Sequence, residues 1–187
     1  RGRAGAGGGS GARRGRRRAR RDARATRLAG AVPRGSDGVM VPPGVKGGRR
    51  PVEDRTLRAA FLNISITTER AHLVRAVLEG VAFNARWLLD AVERFVKRPM
   101  PVLRLLVGGA VSDLWCQMHA DILDRRIARV ADPMYANLRG AALFAAMSLG
   151  KLELADVAAR VRITGTFGPD PNAQQVHRPL DPGYRRP

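Results

Sequence analysis
Residues 103 to 127 read LRLLVGGAVSDLWCQMHADILDRRI, and their types and spacing could bind an anion. Gly108 and Gly109 follow an aliphatic run, Ala110 keeps the turn small, and Ser112 is placed to open an amphipathic helix. The amides in the first turn of such a helix together carry about half a positive charge, and glycines let a ligand approach the chain closely. That suits the phosphates of a nucleotide. The same residues also make a plain tight turn that brings a helix close to a sheet, and spacing alone does not separate the two. A second small-residue run, Arg139, Gly140, Ala141 and Ala142, follows one strand and one helix later. At a helix start it admits either another helix or a flat ring such as adenine. Packing is the commoner explanation, but the order of the two runs is that of a two-part nucleotide pocket.

Other chemistry is weakly signalled. Asp121, Asp124 and Asp132 could hold magnesium, yet they stand beside Arg125, Arg126 and Arg129, and surface ion pairing is the stronger reading. His119 and Cys116 have no partner at a spacing that zinc or a nucleophilic dyad requires, so both read as packing or surface residues. Trp115 shares a helix face with Leu114 and Met118 and reads as core. No catalytic residue and no metal ligand is assigned.

The elements that must position these runs alternate. Leu103 to Val107 is a short apolar run of the kind buried in a sheet covered on both faces. Leu114, Trp115, Met118 and Ile122 give the helix after Ser112 its buried side, residues 126–132 read as a second strand, and residues 137–150 and 152–161 as helices. Strands alternating with helices indicate an α/β domain. Upstream, the second half of VEDRTLRAAFLNISI is strand-like, and Thr67 is placed to cap a helix with Glu69 in its first turn. In that long helix Leu73, Val74, Val77, Leu78, Val81, Leu88, Val92 and Phe95 recur at three- and four-residue steps and predict the core-facing stripe. Pro99 and Pro101 end it. After Gly165 the pattern fades into a polar tail, residues 169–187.

The chain has 187 residues, 44% of them hydrophobic, which is enough for one domain with a core. Its formal charge of +18 is uneven: residues 1–50 hold 15 Lys and Arg against 2 acids, residues 51–187 hold 19 against 14. Residues 1–28 contain no aromatic and no apolar periodicity, and composition predicts disorder there. Their arginines could neutralise phosphates as a nucleic-acid arm, the alternative function for the chain. No Phe, Tyr or Trp precedes Phe61, so a stacking platform for single strands is missing, and a plain cationic extension is the preferred reading. Residues 29–50 form an irregular, Pro- and Gly-rich connector. A single cysteine, no apolar run of membrane-spanning length and no signal-peptide core lead to the expectation of a cytoplasmic protein without a membrane span. Because the chain begins with Arg1, an incomplete translated product is expected.

Several motifs occur together: Thr68-x-Arg70-Ala71-His72-Leu73, Leu78-Glu79-Gly80-Val81-Ala82-Phe83, Gly108-Gly109-Ala110-x-Ser112-x-x-Trp115-x-Gln117, Ala120-Asp121 and Gly140-Ala141-Ala142. In this order they resemble the C-terminal domain of the FGGY carbohydrate kinases, the xylulokinase-like members in particular, over residues 51–168 with a weaker continuation to about Leu28. The resemblance implies a ribonuclease H-like fold of the actin and hexokinase type, forming the C-terminal half of a two-domain sugar kinase that uses ATP and Mg2+. By that resemblance Gly108, Gly109, Ala110 and Ser112 match the motif that contacts the nucleotide, while Gly140 and Ala141 match the helix start near its adenosine end. His72 matches a family position with a structural role. The expected partners are ATP, a ketose or polyol, the family's N-terminal domain and a second copy of the chain, rather than nucleic acid. Two departures stand out: Val107 replaces the first of three glycines, and Gly47-Gly48-Arg49-Arg50-Pro51 lacks the acidic residue that the family carries before its arginine. The family's N-terminal domain, with most of the sugar site and the aspartate that takes the hydroxyl proton, has no counterpart here, so the chain is expected to be inactive alone. In its place stand arginine, glycine and alanine, residues of GC-rich codons, which predicts that about the first 26 residues are out of frame or misassigned.

Overall fold
The computed structural model describes residues 8–45, 47, 53–106 and 108–185. Residues 1–7, the departures at Gly48–Pro51 and Val107 lie outside the described residues. In chain order the elements are α1 (Gly8–Gly30), α2 (Arg70–Val96), β1 (Val102–Leu105), α3 (Asp113–Leu123), β2 (Arg126–Val130), α4 (Ala136–Ser148), α5 (Leu154–Val157), β3 (Ile163–Phe167), α6 (Pro171–His177) and α7 (Asp181–Arg185).

The expected α/β organisation is present. β1 pairs parallel with β2, from Val102 opposite Arg126 to Leu105 opposite Arg129, and α3 is the crossover that a parallel pair needs. β3 joins the other edge of β2 antiparallel, with an irregularity at Arg129 and Val130. Cys116 and Ala120 of α3 pack on Ile127, with Leu103, Leu105 and Phe167 around them. On the other side of α3, Ile122 and Leu123 meet Ala82, Phe83 and Leu89 of α2.

Four expectations are corrected. Residues 8–28 are helical rather than disordered, because arginine and alanine are good helix formers and the C-terminal end of α1 is anchored. Ala29 is fully buried there, and Arg75 Nη1 donates to its carbonyl at 2.9 Å. The cap of α2 is Glu69 rather than Thr67: the Glu69 side chain accepts from the His72 amide while His72 Nδ1 accepts from the Glu69 amide at 3.0 Å. The strand-like second half of VEDRTLRAAFLNISI makes, among the described residues, an isolated bridge, Met40 to Leu62, and leaves Ile64 and Ile66 exposed.

The fourth correction concerns the polar tail, which is docked. Asp170 caps α6 by accepting from the Asn172 amide at 2.9 Å, and Arg34 Nη1 donates to its other oxygen at 2.6 Å. The Arg34 guanidinium holds the Asp170 carboxyl below the usual range. Ala173, Gln174 and His177 are buried, and Tyr184 stacks on Phe83 with ring centroids 4.2 Å apart. Burial pushes the Tyr184 hydroxyl up to about 12.

Candidate nucleotide site
Parallel pairing sets the carboxyl ends of β1 and β2 side by side, the place where open α/β sheets bind ligands. From β1 the chain enters a 3-10 turn, Gly108–Val111; from β2 it passes Asp132, in the left-handed region at φ 45°, into a second 3-10 turn, Pro133–Tyr135. The two turns lie against each other. Each feeds a helix, the first through Ser112 into α3 and the second directly into α4. The first run thus stands on one of these turns, and the second lies within α4, the helix that the neighbouring turn opens.

Ser112 caps α3 as expected, its Oγ accepting from the Trp115 amide at 3.3 Å. Thr26 of α1 also donates to that oxygen at 3.3 Å, a contact that no sequence signal announced. Ala110 is fully buried and faces the protein. At Gly109 an added Cβ would lie 2.6 Å from Trp115 Cζ3, so the glycine makes room for the indole. Close packing therefore explains Gly109 and Ala110, while the amides of Asp113 and Leu114 lead the helix.

Gly140 behaves in the opposite way. An added Cβ there would meet nothing within 4 Å, and Gly140 and Ala141 are both exposed. α4 buries none of its residues, and Leu138 and Phe144 lie 69% and 71% exposed. Packing against the described residues therefore does not account for the small side chains of this run. Arg139 fixes the approach to the helix by donating from Nη2 to the Ala131 carbonyl at 2.7 Å.

The acidic candidates are accounted for otherwise. Asp121 is buried rather than on the surface: it is 2% exposed, and its Oδ1 accepts from Gln117 Nε2 at 2.7 Å and from the Asp170 amide at 3.0 Å. It ties the start of α6 to α3. Asp124 ends α3 in the left-handed region. Among the described residues no group of three or more His, Cys, Asp or Glu could hold a metal ion. His119 donates from Nδ1 to the Trp115 carbonyl at 2.8 Å, and burial pushes its pKa down. Burial raises the Cys116 thiol, which leaves it a packing residue rather than a nucleophile. His72 is structural, as its capping bond shows.

Residues 10–149 match the FGGY family of carbohydrate kinases, C-terminal domain. The match takes in most of α1, which lay beyond the resemblance read from the sequence. A gluconokinase of Bacillus licheniformis is 27% identical over 158 residues, covering 84% of this chain and 31% of that protein. A xylulose kinase of Bacillus subtilis is 30% identical over 150 residues, covering 79% of this chain and 29% of that protein. Among solved structures, the xylulose kinase from Rhodospirillum rubrum superposes with a TM-score of 0.72 at 31% identity, over 87% of this chain and 32% of that one. The chain thus spans about a third of the length of the relatives it matches. It belongs to the FGGY family of carbohydrate kinases, through that family's C-terminal domain.

Proposed function
We propose that the chain is the nucleotide-binding half of an ATP-dependent carbohydrate kinase of the xylulokinase-like kind, ribonuclease H-like in fold, which needs an N-terminal domain for catalysis. The observation that carries this reading is the pair of adjoining turns at the carboxyl ends of β1 and β2, one opening α3 and the other α4. The α3 amides, the Gly108–Gly109 backbone and the Ser112 hydroxyl form the phosphate side, with buried Ala110 packed behind them, and the open face at Gly140 and Ala141 forms the adenosine side. ATP supplies the transferable phosphoryl group, and Mg2+ offsets the charge of its phosphates. The ion would ride on those phosphates, since the described residues offer no carboxylate cluster for it. What this chain contributes is positioning and a fixed positive field, the larger part of catalysis in phosphoryl transfer. Relatives named for xylulose and for gluconate are similarly close, which supports a sugar or polyol hydroxyl as acceptor. No described helix is long and apolar enough to cross a membrane, in keeping with a kinase that acts in the cytoplasm.

Calorimetric titration of magnesium ATP into the chain, beside a Gly140→Glu variant, tests this. The side chain has open space at 140, and glutamate is a better helix former than glycine by about 0.5–1 kcal/mol. The variant should therefore be at least as stable as the parent, yet bind ATP at least about tenfold more weakly through crowding and repulsion. A folded parent that takes up no ATP overturns the proposal, and so does a variant that binds as the parent does.

A further inference from the structure
The kinase reading uses α1 through Thr26, which meets Ser112, and gives its arginines no role. Between Arg13 and Arg27 this helix carries nine arginines and a single acid, Asp22. Arg13, Arg17, Arg20, Arg24 and Arg27 succeed one another at steps of four and three, which sets them in one row along the helix, with Arg14, Arg18 and Arg21 in the adjoining row. Its C-terminal end is held by the core, through buried Ala29 and the Thr26 bond to Ser112. Arg20, Arg21, Arg24 and Arg27 are exposed. Like charges at four-residue steps oppose a helix, so a regular array of anions that neutralises them stabilises α1.

Composition narrows the partner. From Arg13 to Arg27 the helix is about 21 Å long, so its net charge amounts to one unit per about 2.6 Å. A nucleic-acid duplex presents one phosphate charge per about 1.7 Å of axis, a comparable density of opposite sign. The first large apolar residue of α1 is Leu28, at its anchored end, so the helix lacks the apolar face that an interfacial membrane helix buries. The absence of an aromatic before Phe61 removes the stacking platform that single strands use. The major groove of a duplex, about 12 Å wide, admits a helix. We infer that α1 is a docking helix for duplex nucleic acid, held by phosphate contacts without base readout. A helical backbone is what distinguishes this arm from a disordered cationic extension.

Fluorescence anisotropy of the full chain with a short mixed-sequence DNA duplex, over a salt series, tests the inference. If six or more phosphates are engaged, affinity should fall about a thousandfold or more between roughly 50 and 200 mM salt. Replacing Arg13, Arg17, Arg20 and Arg24 together with glutamine keeps good helix formers, and circular dichroism should be unchanged. The slope of log affinity against log salt should then shrink by about three to four, equally for duplexes of different sequence. Absence of binding, a slope that the variant leaves unchanged, or tighter binding to a single strand of the same length overturns the inference. Equal affinity for phosphatidylglycerol vesicles, lost in the same variant, overturns it in favour of a membrane surface.

Discussion

Replacing Glu79 with alanine should remove about 3–5 kcal/mol of folding stability, measured as a fall in the urea midpoint at constant slope. Glu79 is 1% exposed, and its carboxylate closes several interactions at once. Oε1 accepts from Arg75 Nε at 2.7 Å and from the Gly35 amide at 3.0 Å, while Oε2 accepts from Ser36 Oγ at 3.0 Å. His177 Nε2 of α6 stands 3.6 Å from Oε1, within reach of an ion pair though longer than a hydrogen bond. Arg75, itself buried, also donates to the carbonyls of Ala29 and Val32. The alanine variant would strand that guanidinium in the interior and release the end of α1, the 35–38 turn and α6 from α2 together. Glu79→Gln keeps an acceptor and should cost less. A loss below about 1 kcal/mol for the alanine variant would mean that water reaches the pair.

Acid should act through the same residue. Burial by itself raises the Glu79 pKa, but the contacts from His177, Arg75 and Gly35 outweigh it and bring the group below its ordinary 4.5. Because the folded value is the lower one, the stabilisation is fully present above the unfolded pKa and is lost as pH falls through the folded value. Wild-type stability should therefore decline below about pH 4.5, and the Glu79→Gln variant should decline less steeply over the same range. Glu93, held low by Arg125, and Asp170, held low by Arg34, contribute with the same sign in both proteins and so cancel in the comparison.

What could be read from the sequence follows the physics of each element. The strands at 102–105 and 126–130 were legible because short aliphatic runs ended in glycine or proline turns. The extent of α2 was legible because prolines follow it. Its buried face was not. Apolar periodicity pointed inward with Val77, Val81 and Phe95, which are 39%, 37% and 87% exposed, while Ala71, His72, Arg75, Ala76, Glu79 and Gly80 are buried. A hydrophobic stripe identifies the core side only when the core is built from large apolar residues. Here the inner face combines an ion pair with residues small enough for backbone to meet backbone, and the described residues leave the apolar row partly uncovered. The docked C-terminal segment escaped notice for a related reason, since its anchors, Asp170, Gln174, His177 and Tyr184, read as a polar tail. At the site, the glycine turn and the Ser112 cap were legible from local spacing, whereas the Thr26 contact joins residues 86 positions apart and has no local signature.

Gly80→Ala should destabilise the chain by about 3 kcal/mol or more, against the direction that helix propensity alone would give. A Cβ at this position would sit 2.1 Å from the Val41 carbonyl oxygen and 3.2 Å from its carbon. Both atoms are backbone, so no side chain can swing aside, and relief requires α2 to move away from the 39–41 segment. That movement opens the cluster of Val39, Val41 and Ala76 and lengthens the bond from the Val41 amide to the Tyr184 hydroxyl, now 3.2 Å. Gly140→Ala provides the internal control. It lies within a helix, has open space at the same atom, and should gain about 0.5–1 kcal/mol from propensity. The two substitutions make the same chemical change in the same kind of backbone, so opposite signs in parallel urea titrations isolate the backbone contact as the cause. Equal small gains would mean that α2 does not hold Val41 at this distance in solution, and the docking of the 35–41 segment through Glu79 would then have to be loose as well.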